Sequence, residues 1–305
     1  MRKQLLGLAT LAAAALLAPI ATSAPAPAPR SGPLTPAAVL AASPASAWAD
    51  IDPDDLLVID FARGRVVIEL APQFAPAHVA NIRKLAQAHW YDGLVIERVQ
   101  DDYVTQWGDP DGKKPLPPGL VRPAPAEYSR PADGVLLTPL PYPDPYADRV
   151  GLAGAFPVGE SGGEAWLAHC YGMVGVGRDL NPDTGTGAEL YAVIGQPPRG
   201  LDRNIAVVGR VLSGMEVLAA LPRGTGELGF YANPAQRVPI LKARLASELS
   251  PGDQPHLQVL KPGSDSFRAW AQIKANRQDS FFLRPAGALD LCNAMPPVRN
   301  EIRGS

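Results

Sequence analysis

A chain of 305 residues, 46% of them apolar, can bury one substantial core and a small appendage, which excludes disorder throughout. A formal net charge of −2 supplies no field for a polyphosphate or an anionic bilayer, which disfavours nucleic-acid and membrane-surface binding. The four histidines, His78, His89, His169 and His256, lack paired ligand spacing, so no metal site is expected.

The chain opens Met1-Arg2-Lys3, continues through an apolar stretch over residues 5–20 and reaches the small residues Ala21-Thr22-Ser23-Ala24. This is the layout of a signal peptide over residues 1–24. The stretch is shorter than the roughly 20 apolar residues of a spanning helix, so cleavage and a soluble periplasmic or secreted monomer are expected. In that oxidising setting Cys170 and Cys292 are a disulfide candidate, subject to their Cα atoms coming within reach. Residues 25–48 are rich in Pro and Ala without a hydrophobic period and read as a linker, with folding from about Ala49.

Residues 56–61 and 65–70 are β-branched-rich runs around Ala62-Arg63-Gly64, and Val66, Ile68 and Leu70 alternate, which predicts a hairpin. Pro76 suits a first helical turn, and Val79, Ile82, Leu85 and Ala86 recur at helical spacing up to Trp90. After the turn Tyr91-Asp92-Gly93, residues 94–99 and 103–107 read as strands. Residues 111–164 are dense in Pro and Gly with few periodic apolar positions, which predicts a long, ordered-to-mobile surface insertion. Strand pattern returns at 189–194, 205–212 and 238–245, with a short helix at 215–221. The extension 251–305 holds one helix, 266–275, and is expected to pack on the rest. Strands dominate without strand-helix-strand alternation, so the fold class is mainly β, an antiparallel barrel over residues 49–250 capped by two helices.

Gly159-Glu160-Ser161-Gly162-Gly163, followed by Asp202 and His256, has the order of a hydrolase triad, but a nucleophile elbow needs a strand, a sharp turn and a helix. In a Gly/Pro-rich stretch it reads as a turn. Asp179, Asn181 and Asp183 alternate like the start of a calcium loop, yet Thr184 and Leu190 replace its glycine and glutamate. Gly172, Gly175 and Gly177 read as tight turns rather than a dinucleotide loop.

In order and spacing, Val67-Ile68-Glu69-Leu70, Ala75-Pro76, Val79-Ala80-Asn81-Ile82, Tyr91-Asp92-Gly93, Arg98-Val99 and Gln106-Trp107-Gly108-Asp109-Pro110 resemble the first half of the cyclophilin family. Gly172-Met173-Val174-Gly175, Glu189-Leu190-Tyr191, Leu201-Asp202 and Val207-Val208-Gly209-Arg210-Val211 resemble its second half. The resemblance implies a closed eight-stranded barrel and peptidyl-prolyl cis-trans isomerase activity without a cofactor, on Pro-containing unfolded or partly folded envelope proteins. By position, Arg98 matches the catalytic arginine and Gln106 the glutamine that holds it. Tyr103, Val104, Tyr191 and Leu201 match the proline pocket, and Glu189 stands in the groove where glutamine is usual. Glu97 replaces a histidine, Gly200 an aromatic and Ile205 a histidine or tyrosine. The aromatic at the Gly200 position also contacts cyclosporin in the family, so poor inhibition by that drug is expected. These departures leave a second expectation, a weakly catalytic or non-catalytic module that binds Pro-containing segments.

Overall fold

The computed structural model describes residues 35–300, so the expected signal peptide and the first part of the linker lie outside the described residues. The barrel strands, labelled in chain order, are β1 Leu56–Phe61, β2 Gly64–Leu70, β3 Val95–Val99, β4 Val104–Gly108, β5 Met173–Val176, β6 Leu190–Val193, β7 Val207–Ser213 and β8 Val238–Leu245. They pair antiparallel in the order β5-β6-β4-β3-β8-β1-β2-β7 and close through β7 onto β5.

Period-2 alternation decides what each face of the barrel does. Leu57, Ile59 and Phe61 on β1 join Val66, Ile68 and Leu70 on β2 in a core with Ile96, Trp107, Val174, Leu190 and Val208. Side chains of this size fill the interior, each burial contributing about 1.5–3 kcal/mol. The alternate residues Leu56, Val58 and Val67 pack instead with Ile51, Leu257 and Val259. Those partners lie in or beside a three-stranded sheet of Trp48–Asp50, Leu257–Leu260 and Val298–Asn300.

The helix Pro76–Gln87 buries Val79, Ile82, Leu85 and Ala86 in the barrel core. Pro76 starts it, and the Glu127 carboxylate accepts from the backbone N–H groups of Ala77 and His78 at 2.8 and 3.0 Å. An acceptor from a distant loop thus satisfies donors that a helix start leaves open. The helix Met215–Ala219 adds Val217 and Leu218 to the same core.

The expectation for residues 111–164 needs correction. Short strands at Arg130–Pro131, Thr138–Pro139, Arg149–Ala153, Phe156–Ser161 and Glu164–Leu167 form a five-stranded sheet. Val150, Leu152, Phe156, Val158 and Leu167 pack with Trp48, Phe267 and Trp270 in a second core. Glycine misleads here because Gly159 lies within a strand, where a Cβ would come within 2.9 Å of the Trp166 indole. Ser161 ends a strand that turns back into Glu164–Leu167, so the hydrolase-like motif is a hairpin without the helix it needs.

The linker boundary also moves. Residues Pro36–Ala42 form a helix against the helix Asp265–Ala275, and Ala47 and Trp48 are buried. Alanine and proline without a long period suffice there because the helix is only two turns long, and Pro36 is well placed at its start. Cys170 and Cys292 form a disulfide with Cα atoms 5.1 Å apart, joining the chain just before β5 to the C-terminal segment. Among the described residues no helix is long and apolar enough to cross a membrane.

Candidate active site

Arg98 on β3 lies opposite Gln106 on β4, Gln106 opposite Tyr191 on β6, and Tyr191 opposite Gly175 on β5. Residues abreast in neighbouring strands share a face, so this row brings their side chains to one side of the barrel wall. Trp107, Leu190 and Ala192, on the alternate positions, belong to the interior core, which puts the row on the outer face. Val104, Tyr191 and Val193 form a small apolar cluster there, with Tyr103 and Ile205 packed against it. A pocket of about 110 Å³ opens among Arg98, Tyr103, Val104, Gln106, Glu189, Tyr191 and Ile205.

Two glycines make this wall possible. A Cβ on Gly175 would overlap the Tyr191 ring, and one on Gly177 would lie 2.7 Å from Glu189 Cγ. Neither residue forms the tight turn expected of it: Gly175 lies inside β5 and Gly177 directly follows it. Both provide room for a side chain opposite, Tyr191 on β6 and Glu189 directly before it.

The Arg98 guanidinium is held from several sides. Its Nε donates to the Leu228 carbonyl at 2.7 Å, Nη1 to Gln106 Oε1 at 2.9 Å, and Nη2 to Gln100 Oε1. Its Cζ lies 5.5 Å from the ring centroids of both Tyr103 and Phe230. The register shift between Ile96 and Arg98 marks a bulge, a device that re-aims a strand side chain. Leu228 has φ of 53°, and the next residue, Gly229, approaches Gln100 so closely that a Cβ would meet its Cα at 2.6 Å. This turn fixes the carbonyl that receives Arg98. Three hydrogen bonds leave part of the guanidinium's set of five N–H donors for another acceptor.

Acidic groups border the row. Gln106 Nε2 donates to Glu189 Oε1, so the amide bridges Arg98 and Glu189. Burial pushes the Glu97 carboxyl up to about 7, and the neighbouring Glu189 charge adds to the shift. Glu189 is also raised by burial, against the lowering effect of Gln106. Burial lowers Arg98 from its ordinary value while Tyr103, Glu189 and Glu97 favour its charged form. A guanidinium stays protonated under these conditions.

Of the residues selected from the sequence, Arg98, Gln106, Tyr103, Val104, Glu189 and Tyr191 converge on the pocket, whereas Leu201 sits in the turn Arg199–Leu201 and does not line it. Ile205 takes the apolar position beside Tyr191 instead. A Cβ at Gly200 would meet no heavy atom within 4 Å, and Gly200, like Leu201, does not line the pocket. Nothing in the sequence points to Gln100, Leu228 or Phe230 as neighbours of Arg98. Leu228 and Phe230 reach Arg98 across some 130 residues of sequence, and no local pattern signals that approach. Cavities of about 640 and 550 Å³ lie beside the helix Asp265–Ala275, away from this row and its perturbed acids. Among the described residues no group of three or more His, Cys, Asp or Glu is placed to hold a metal ion.

Residues 56–245 match the family described as cyclophilin type peptidyl-prolyl cis-trans isomerase/CLD. A probable peptidyl-prolyl cis-trans isomerase of Brucella suis is 28% identical over 201 residues, 65% of this chain and 85% of that protein. Peptidyl-prolyl cis-trans isomerase B of Bacillus subtilis is 42% identical over 57 residues, 19% of this chain and 40% of that one. The crystal structure of cyclophilin AquaCyp293 from Hirschia baltica superposes with a TM-score of 0.67 at 25% identity, covering 87% of this chain and 97% of that one. The closed eight-stranded barrel and the family match over residues 56–245 agree: the chain belongs to the cyclophilin-type peptidyl-prolyl cis-trans isomerases.

Proposed function

We propose that this protein accelerates rotation about X-Pro bonds in proteins folding in the bacterial envelope, with Arg98 as its catalytic residue. One observation carries the reading: the Arg98 guanidinium, fixed by Gln106 and the Leu228 carbonyl, borders a pocket lined by Tyr103, Val104 and Tyr191.

Peptide rotation is slow because resonance must be broken, with a barrier of about 18–20 kcal/mol. Both isomers of a prolyl bond are populated, so a catalyst has only to stabilise the twisted form. In that form the nitrogen turns pyramidal and acquires a lone pair that an Arg98 N–H can meet. A charge-assisted bond of this kind contributes about 1.5–3 kcal/mol, roughly one to two decades in rate. The prolyl ring packs against Tyr103, Val104 and Tyr191, and its burial aligns the amide and excludes water. Gln106 holds the guanidinium and Glu189 borders the groove.

The clients in this reading are unfolded or partly folded Pro-containing chains, bound by a monomer after signal cleavage. The disulfide between Cys170 and Cys292 supports an oxidising compartment. A protease-coupled proline-peptide assay on the wild type and Arg98→Ala tests the activity, with a drop of at least tenfold expected. Equal rates for the two proteins overturn it. The missing side chain at Gly200, where the resemblance places an aromatic, favours a second reading, a binding module with little turnover, in which peptide affinity persists without rate enhancement.

A further inference from the structure

Behind the pocket, a chain of buried polar groups ends on the hydroxyl of one pocket residue, Tyr191. Tyr191 Oη lies 2.9 Å from His169 Nε2, and His169 Nδ1 lies 3.0 Å from Asp202 Oδ1. The same carboxylate oxygen accepts from the His169 backbone N–H at 2.9 Å. Asp202 Oδ2 accepts from Arg199 Nε at 2.6 Å and from Trp166 Nε1 at 3.2 Å. Arg199 then places Nη1 and Nη2 on the two carboxylate oxygens of Asp144 at 2.9 and 3.1 Å. His169 is 1% exposed and Asp202 6%, and neither lines the pocket.

The chemistry fixes the direction of each bond. Burial raises Asp202, but the donors from His169 and Arg199 outweigh it and hold the carboxyl below its ordinary range. An ionised carboxylate only accepts, so a neutral His169 imidazole carries its proton on Nδ1 and leaves Nε2 as an acceptor. The Tyr191 hydroxyl therefore donates. Its ring is seated over Gly175, and the planes of the two rings lie within 11° of each other. An apolar wall alone would need no hydroxyl.

We propose that His169 and Asp202 are positioning residues of this site: acting through the Tyr191 hydroxyl, they lock the ring at the angle on which a prolyl ring packs. Arg199 and Asp144 anchor the pair, which ties the pocket to the segment carrying the five-stranded sheet. The inference rests on the isomerase or peptide-binding reading given above. It assigns roles to residues that touch neither substrate nor Arg98.

A double-mutant cycle tests it, with Tyr191→Phe, His169→Phe and the combination, read as kcat and KM in the proline-peptide assay and as the Kd of the same peptide. Each single change is expected to lower kcat/KM about three- to tenfold, chiefly through KM, and the double variant is expected to fall no further than the worse single one. His169→Gln, which keeps an amide acceptor for the hydroxyl, is expected to recover part of the loss and replaces His169→Phe should that variant not fold. Wild-type kcat/KM and Kd in Tyr191→Phe, or effects that multiply in the double variant, overturn the proposal while leaving the isomerase reading intact. A wild type that binds peptide without turnover is read through Kd alone, and one that does neither removes the functional reading and this proposal together.

Discussion

Arg98 and Gln106 stand opposite each other on β3 and β4, and the guanidinium donates to the amide oxygen over 2.9 Å. Gln106 is in turn the bridge to Glu189, so one amide sets both the aim of the cation and its distance from an acid. Gln106→Leu is expected to lower kcat/KM about three- to tenfold, the range of one or two modest hydrogen bonds. Arg98→Lys is expected to recover little activity, because an ammonium cannot satisfy Gln100, Gln106 and Leu228 from one rigid fork. Steady-state assays of both variants beside the wild type check this. Full activity in Arg98→Lys would show that charge alone suffices.

Phe230 is 37% exposed with its ring centroid 5.5 Å from Arg98 Cζ. Its removal takes away a cation–π contact of about 0.5–1 kcal/mol at an exposed site. Phe230→Ala is therefore expected to reduce kcat/KM about two- to fivefold with little change in melting temperature. A loss confined to stability argues that the ring merely supports the turn.

The open space at Gly200 makes a gain of binding testable. The wild type is expected to resist cyclosporin at nanomolar concentrations. Gly200→Trp is expected to strengthen inhibition at least tenfold, since a newly buried aromatic wall contributes about 1.5–3 kcal/mol. Titration of activity against the drug gives both values, and equal inhibition constants count against a role for position 200 in binding it.

The Glu97 carboxyl titrates at about 7 in the fold, against an ordinary value of 4.5. Between those values the unfolded chain has released a proton that the folded chain keeps, so stability falls as pH rises through this window and levels off above it. Glu97→Gln is expected to flatten the decline of melting temperature from pH 4.5 to 7. Part of the slope remains in the variant, because burial also pushes Glu69 up to about 7. Identical profiles for wild type and variant would falsify the assignment to Glu97.

The disulfide spans a sequence separation of 122 residues. Closing a loop of that length removes unfolded-state entropy, and losing such a bridge costs about 2–5 kcal/mol. Reduction, or Cys292→Ser, is expected to lower the melting temperature by several degrees while activity at room temperature persists. An unchanged melting curve under reductant speaks against the bridge.

The barrel was legible because its strands announce themselves through alternation, as in Val66, Ile68 and Leu70, and because Pro76 and the spacing of Val79, Ile82 and Leu85 mark a helix. Six of the seven groove residues selected from the sequence came together because they sit at matching register on β3, β4 and β6 or at the ends of those strands. The sheet within residues 130–167 was hidden by glycines that look like chain breakers but make room for rings, Gly159 beneath Trp166 above all. Leu228, Phe230 and His169 were out of reach for a different reason. Their contacts with Arg98 and Tyr191 depend on how distant segments pack, and a linear pattern carries no trace of that.

Trp107, Leu190 and Ile68 fill the lumen, so the pocket beside Arg98 opens on the outer surface of the wall. Under the proposed function a client need not offer a free end or pass through a hole. A bowed stretch of main chain with a proline at its crest is then expected to be able to touch down and lift off again, including an internal segment whose two flanks have already folded.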